Sequence, residues 1–224
     1  MKAREPVNRG EPKNRHEPAT QRIARLRRGL DPAGPLARHR VGAGRGAAVL
    51  MPIFELDDDL HVVYIRRSDH VESHRGQVAF PGGRVDSTDE TLLHTALREA
   101  QEEVGIDPAS VEVLGAIEGA VARTSEIHVT PFVGVIPAGA GLRADPKEVA
   151  AIFFVPMGAL EDSSYRGTYR FRRDSGQVSE HPAIFYNDQV IWGLTLRFTE
   201  EILRRMNDAP RASFASSVRN TTRR

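Results

Sequence analysis

The sequence predicts an α+β fold, an α/β/α sandwich in which a mixed β-sheet lies between helices. Three observations predict it. Segments rich in β-branched and aromatic residues recur from residue 46 to residue 192. Two long helical periodicities stand among them, over 88–104 and from about Trp192 to Met206. Helices this few cannot alternate with the strands as a βαβ series would.

Taken in order, residues 1–20 are rich in Pro, Glu and Arg without periodicity, which predicts disorder. QRIARLRRGL (21–30) spaces Ile23, Leu26 and Leu30 at i, i+3 and i+7, a short basic helix that DPAGP then breaks. The Gly-rich VGAGRGAAVL (41–50) precedes a strand rather than following one and lacks the Gly-Lys-Ser/Thr of a phosphate loop. It reads as a loop entering a strand. GAAVLMPIFEL (46–56) and LHVVYIRR (60–67) are apolar strands around a turn at Asp57–Asp59. VEVLGAIEGA (111–120), HVTPFVGVIP (128–137) and AIFFVPMGAL (151–160) supply further strands, and 165–173 and 181–195 shorter ones around a polar turn. Trp192, the single tryptophan, reads as core packing for the last helix. The expected organisation is a folded domain over 45–206. A basic, partly disordered extension (1–44) precedes it and a basic flexible tail (207–224) follows.

The net charge of +1 hides an uneven distribution. Residues 1–45 hold 12 Lys/Arg against 4 Asp/Glu and residues 204–224 hold 6 against 1, which leaves 13 against 25 for the body. Basic ends on an acidic body suit solvated tails first, and contact with a polyphosphate or nucleic acid second. No apolar run approaches the ~18–20 residues that span a bilayer, and the first residues lack the apolar core of a secretory signal. With no cysteine there is neither a disulfide framework nor a thiolate metal site. Cytoplasmic location, without membrane partners, is the expectation by elimination.

Within the helix over 88–104, Ser87 and Glu90 fit a capping box and Gly105 fits the left-handed residue that ends it. Leu93, Ala96, Leu97, Ala100 and Val104 make an apolar stripe. Opposite lie Glu99 and Glu103, i and i+4, with Glu102 beside them, three carboxylates that repel one another without a cation. Either a solvated acidic face or a Mg²⁺ site explains them, since Mg²⁺ takes hard oxygen ligands. GQVAFPGGRVD (76–86) places Gly82 and Gly83 just upstream, where backbone can approach a ligand closely.

Gly83 followed by REAQEEVGI (98–106) resembles the Nudix box, the signature of hydrolases that cleave a nucleoside diphosphate linked to another moiety. The last nine positions fit. Arg98 lies 15 positions after Gly83 rather than 14, so Asp89 or Glu90 stands for the first Glu of the pattern. That longer spacing is similar to the coenzyme A pyrophosphatase branch. So is VYIRRSDHVESHRGQVAFPGG (63–83), in which Arg67, Ser68, Gly76 and Phe80–Gly83 match the branch's upstream motif. Val63, Tyr64 and Ile65 depart from it, as does Glu72, which stands where the branch has Arg.

The resemblance implies a Nudix-type sandwich over most of the body and attack of water on phosphorus with Mg²⁺, Mn²⁺ being the alternative cation. It implies Glu99 and Glu103 as metal ligands, Glu102 as a direct or water-mediated one, and the Gly83 carbonyl as a further oxygen. Arg98, counted with the catalytic groups, orients a carboxylate. Glu102 and Glu148 are the alternatives for general base. Arg67, Arg75 and Gly82 would meet substrate phosphates. The expected substrate is coenzyme A or an acyl-coenzyme A. ADP-ribose, a sugar nucleotide or a dinucleoside polyphosphate comes second, and a nucleic-acid-binding module on the same scaffold third. Relatives are often dimers, so a homodimer is compatible with the resemblance.

Overall fold

Two strands, β1 (Gly46–Leu56) and β2 (Asp59–Arg67), form the hairpin around which the sheet is built. Asp57 and Asp58 turn it at φ 51° and 60°. A two-residue hairpin needs that left-handed pair, and Asp tolerates it better than most residues. The computed structural model describes residues 17–33, 46–70, 74–122, 126–172 and 176–209. Of the disorder expected over 1–20, residues 1–16 lie outside those residues, as do 41–45 of the Gly-rich segment, the tail beyond 209 and Glu72, while Ala19 and Thr20 already belong to a helix.

After β2 the chain makes β3 (Val78–Ala79), β4 (Gly82–Arg84) and helix α2 (Leu92–Val104), then β5 (Glu112–Ala116), β6 (Ala120–Val121), β7 (His128–Val135) and β8 (Val149–Pro156). β8 pairs antiparallel with β2 along its length, while β7 lies parallel to β1, from Gly46 opposite His128 to Ile53 opposite Val135. The pairing is therefore mixed, as expected. β3 pairs with β2 and β4 with β1, so the segment 78–84 is wedged where the hairpin strands part.

Strand alternation divides the core in two. On one face, Leu50, Val63, Ile65 and Phe132 pack against Ala96, Ala100 and Val104 of α2. The other face, with Met51, Ile53, Val62, Tyr64 and Val133, lies under α1 (Ala19–Gly29) and the last helix, α4 (Gly193–Asp208). The sandwich is thus observed, with one addition on this face. A separate antiparallel sheet of β9 (Arg166–Arg172), β10 (Val178–Tyr186) and β11 (Gln189–Trp192) contributes Ile184 and Ile191 to the same core. α1 is fastened to α4 where Arg205 donates to the Gly29 carbonyl at 3.0 Å and pairs with Asp31 at 3.1 Å.

Three expectations give way. The helix over 88–104 begins only at Leu92, with Thr91 rather than Ser87 at its N-cap and the Thr91 hydroxyl accepting from the His94 amide at 3.0 Å. Asp86 and Asp89 spend residues 86–89 on a turn instead, Asp86 Oδ1 accepting from the Thr88 amide. The segment 151–160 is strand only to Pro156, after which Met157–Glu161 forms a short helix, α3. Trp192 is not core packing for α4. It ends β11 half-buried, against the rings of Tyr169, Phe171 and His181 on the second sheet.

Candidate functional site

The site is assembled by α2 and the 80–84 segment. Gly105, at φ 73° and ψ 21°, ends the helix as expected, its amide bonding to Gln101 and that of Ile106 to Ala100. The apolar stripe then fixes the rotation of α2, which turns Glu99 and Glu103 toward the glycines. Glu103 is 1% exposed. Its carboxylate accepts from the Gly82 amide at 2.9 Å and from Arg67 Nη1 at 3.2 Å. Gly82 has φ 151°, and a Cβ there would lie 2.5 Å from Val49 Cα, so only glycine presents this amide. Glu99 lies against Gly83, where a Cβ would come within 2.5 Å of both its carboxylate oxygens.

Burial pushes the Glu103 carboxyl up to about 7, aided by the charges of Glu99 and Glu148 and opposed by the Gly82 amide and Arg67. Burial likewise raises Glu99, with Arg98 opposing and Glu102 and Glu148 adding to the rise. These are carboxylates held together against their own repulsion.

Arg98 is the second organiser. It grips Asp89 through Nε and Nη2, both at 2.9 Å, reaches Glu99 and Glu102 at 2.9 Å each, and donates to the Arg84 carbonyl at 3.2 Å. Asp89 is buried and also accepts from Thr95 Oγ1 and the Asp86 amide. Burial alone would raise its carboxyl, but these bonds, Arg98 foremost, hold it at about 2. Glu90 is exposed. Of the two acids Asp89 and Glu90, it is therefore Asp89 that meets Arg98.

The structure brings Gly82, Gly83, Arg67, Glu99 and Glu103 together, with Arg98 bracing them. Glu102 stands apart, its side chain 58% exposed on the Arg98 side. Glu148 is exposed, and its backbone carbonyl accepts from the Ser68 amide at 2.8 Å. Arg75 is exposed in the turn before β3. Sequence reasoning missed Thr95, whose buried hydroxyl braces Asp89 and which gave no signal beyond a polar residue beside the apolar stripe. Beyond Glu102, a cleft of about 480 Å³ opens between the end of α2 and Arg143–Pro146.

Among the described residues no three His or acidic side chains converge as a ready-made metal cage. A cation that takes two carboxylates and completes its shell with water and substrate oxygens does fit the raised pair Glu99 and Glu103. Hard, repelling oxygens beside a backbone that admits no side chain suit such an ion.

A mixed sheet with a carboxylate-bearing helix locked against a paired-glycine strand defines the class of fold, the Nudix type. The NUDIX domain family model matches residues 44–174. The protein named uncharacterized Nudix hydrolase NudL in Salmonella dublin is 38% identical over 177 residues, 79% of this chain and 90% of that protein. Its namesake in Salmonella newport matches to the same extent. Among solved structures, the NUDIX domain of Shewanella oneidensis NrtR, crystallised with ADP ribose, is 18% identical at a TM-score of 0.48, covering 79% of this chain and 99% of that one. The chain belongs to the Nudix family and is a hydrolase of nucleoside diphosphate derivatives. No helix among the described residues is long and apolar enough to cross a membrane.

Proposed function

We propose that this hydrolase cleaves the diphosphate of coenzyme A or an acyl-coenzyme A, releasing adenosine-3′,5′-bisphosphate and 4′-phosphopantetheine. The observation that carries this reading is the longer box, with Asp89 taking the grip on Arg98. The matching residues Arg67, Ser68, Gly76 and Phe80–Gly83 support the same branch.

In this reading Glu99 and Glu103 hold the divalent cation, Mg²⁺ in the first place, and the Gly83 carbonyl adds an oxygen. Such an ion, when bound, neutralises diphosphate charge and lowers the pKa of water. Arg98 keeps Glu99 aimed through charge-assisted bonds anchored on Asp89. Arg67, which reaches Glu103, passes in this reading to a substrate phosphate, and Arg75 and the Gly82 backbone are the further phosphate contacts it calls for. Glu148 takes the proton from the attacking water, because its charge is felt by both Glu99 and Glu103 while Glu102 is occupied by Arg98. Glu102→Gln should then cost far less in kcat than Glu148→Gln.

The test is hydrolysis with Mg²⁺ of coenzyme A, acetyl-coenzyme A, ADP-ribose, a dinucleoside polyphosphate and NADH, wild type beside Glu103→Gln. Release of adenosine-3′,5′-bisphosphate by the wild type alone supports the reading. Much faster turnover of another substrate would overturn the assignment of coenzyme A and leave the chemistry.

A further inference from the structure

The segment 143–149, between β7 and β8, is pinned to the end of α2. The last carbonyls of a helix have no partner within it, and here the loop supplies two. Arg143 donates its amide to the Val104 carbonyl at 3.0 Å, and Asp145 donates its own to the Glu103 carbonyl at 2.9 Å. The residue whose carboxylate meets the Gly82 amide is thus joined through its backbone to Asp145.

From that anchor Asp145 builds the turn that leads to Glu148. Its Oδ1 accepts from the Lys147 amide at 2.9 Å, an Asx turn across Pro146. Its carbonyl accepts from the amides of Glu148 at 3.1 Å and Val149 at 2.8 Å. On the far side the Glu148 carbonyl takes the Ser68 amide at 2.8 Å, next to Arg67, whose guanidinium reaches Glu103. The ladder of β8 with β2 slips here, Arg66 facing Ala151 and Arg67 facing Val149. Irregularities of this kind re-aim the chain beside a site.

Glu148 depends on that turn for its place. It is exposed, and among the described residues no side chain bonds to its carboxylate. Its charge nevertheless acts on both Glu99 and Glu103. A long, exposed side chain acts at one point only if the backbone beneath it is fixed.

We propose that Asp145 is a positioning residue for the reaction, holding Glu148 beside Glu103 by tying one Asx turn to the end of α2. This deepens the reading of Glu148 as the base and rests on it, but not on the identity of the substrate. Asp145 acts through Glu148 and touches no reacting atom. A base displaced by about 1 Å loses up to about a hundredfold in rate, while the phosphate contacts assigned to Arg67 and Gly82 stay in place. Loss of the turn should therefore fall on kcat rather than on KM.

The experiment measures steady-state kinetics with Mg²⁺, on whichever diphosphate of the panel above the wild type cleaves fastest. The variants are Asp145→Ala, Asp145→Ser, Asp145→Asn, Glu148→Gln and the double variant Asp145→Ala with Glu148→Gln. Asp145→Ala should lower kcat about tenfold with KM within about twofold. Asp145→Asn keeps an oxygen for the Lys147 amide and should stay within about twofold of wild type, with the weaker acceptor of Asp145→Ser between them. Glu148→Gln should lower kcat about a hundredfold or more. Adding Asp145→Ala to it should change kcat by less than about twofold, because no base is left to position. A tenfold loss that persists in the double variant would make Asp145 a support of the fold at large and overturn the proposal. Wild-type kcat for Asp145→Ala beside a slow Glu148→Gln overturns the positioning alone and leaves Glu148 as base. A fully active Glu148→Gln overturns the base and the proposal together. A rise in KM with kcat kept would place Asp145 on the substrate in the cleft beside Glu102, and overturns it too. Should circular dichroism show Asp145→Ala unfolded, a serine variant as fast as the asparagine one is the overturning result.

Discussion

Glu103→Gln is expected to stabilise the metal-free protein at alkaline pH while abolishing its activity. The carboxyl titrates near 7 in the fold, against about 4.5 in the unfolded chain. A raised acid favours the fold below its unfolded pKa, and that contribution is lost as pH rises through the folded one. At pH 8 the ionised side chain therefore costs about 3 kcal/mol relative to its protonated form. The amide keeps the size and still accepts from Gly82, and the attraction of Arg67 for the ionised form is already contained in the folded value near 7. The net gain is therefore about 3 kcal/mol at pH 8 and under about 1 kcal/mol at pH 5, where the folded wild-type group already carries its proton. Thermal unfolding with a chelator present, at pH 5 and pH 8, reads this as a rise of about 6–12 °C in Tm at the higher pH and a far smaller one at the lower. A variant destabilised equally at both values would refute the reasoning, because Glu103 would then be a satisfied structural carboxylate.

Adding Mg²⁺ at pH 8 should raise the Tm of the wild type and leave that of Glu103→Gln nearly unmoved, which differential scanning fluorimetry will show. Gly83→Ala drives a methyl into the Glu99 carboxylate and should cut kcat at least a hundredfold with little loss of fold, as judged by circular dichroism beside initial rates. Gly82→Ala meets backbone instead, at Val49 Cα, and should lower stability by about 2–4 kcal/mol in urea titration. Asp89→Asn removes a carboxylate held at about 2. The depressed pKa stabilises above about pH 4 and is lost as pH falls toward 2, so the variant should be about 2–3 kcal/mol less stable at pH 7 and flatter than wild type in acid titration.

The end of α2 could be read residue by residue because its signals are local. Gly105 supplies the left-handed cap, and the i, i+4 spacing of Glu99 and Glu103 fixes their common face. The start was misread for the opposite reason. Ser87 and Glu90 form a plausible capping box, but Asp89 is drawn away by Arg98, nine residues on, and the helix waits for Thr91. A bond across that distance outweighs a local preference worth about 1 kcal/mol. Pro156 marked the end of β8, yet the apolar run beyond it hid the change to helix at Met157. Trp192 was misplaced because a large apolar residue next to a helix suggests core. Only the pairing of β10 with β11 shows that its side of the sheet faces away from Ile191.

The placement of β1 between β4 and β7 governs the order in which the molecule can be made. Its hairpin with β2 and the antiparallel contact with β4 close over short stretches, whereas the parallel ladder joins Gly46 to His128. Long-range parallel pairing is slow because the entropy of closing the loop is lost before the contacts form. A nascent chain that has emerged as far as Ile106 already holds the glycines and all three α2 carboxylates, but β1 is open along one edge. Refolding should accordingly show the far-ultraviolet signal of α2 before the amides of β1 and β7 become protected from exchange, and cation binding should appear only with that last, slow phase.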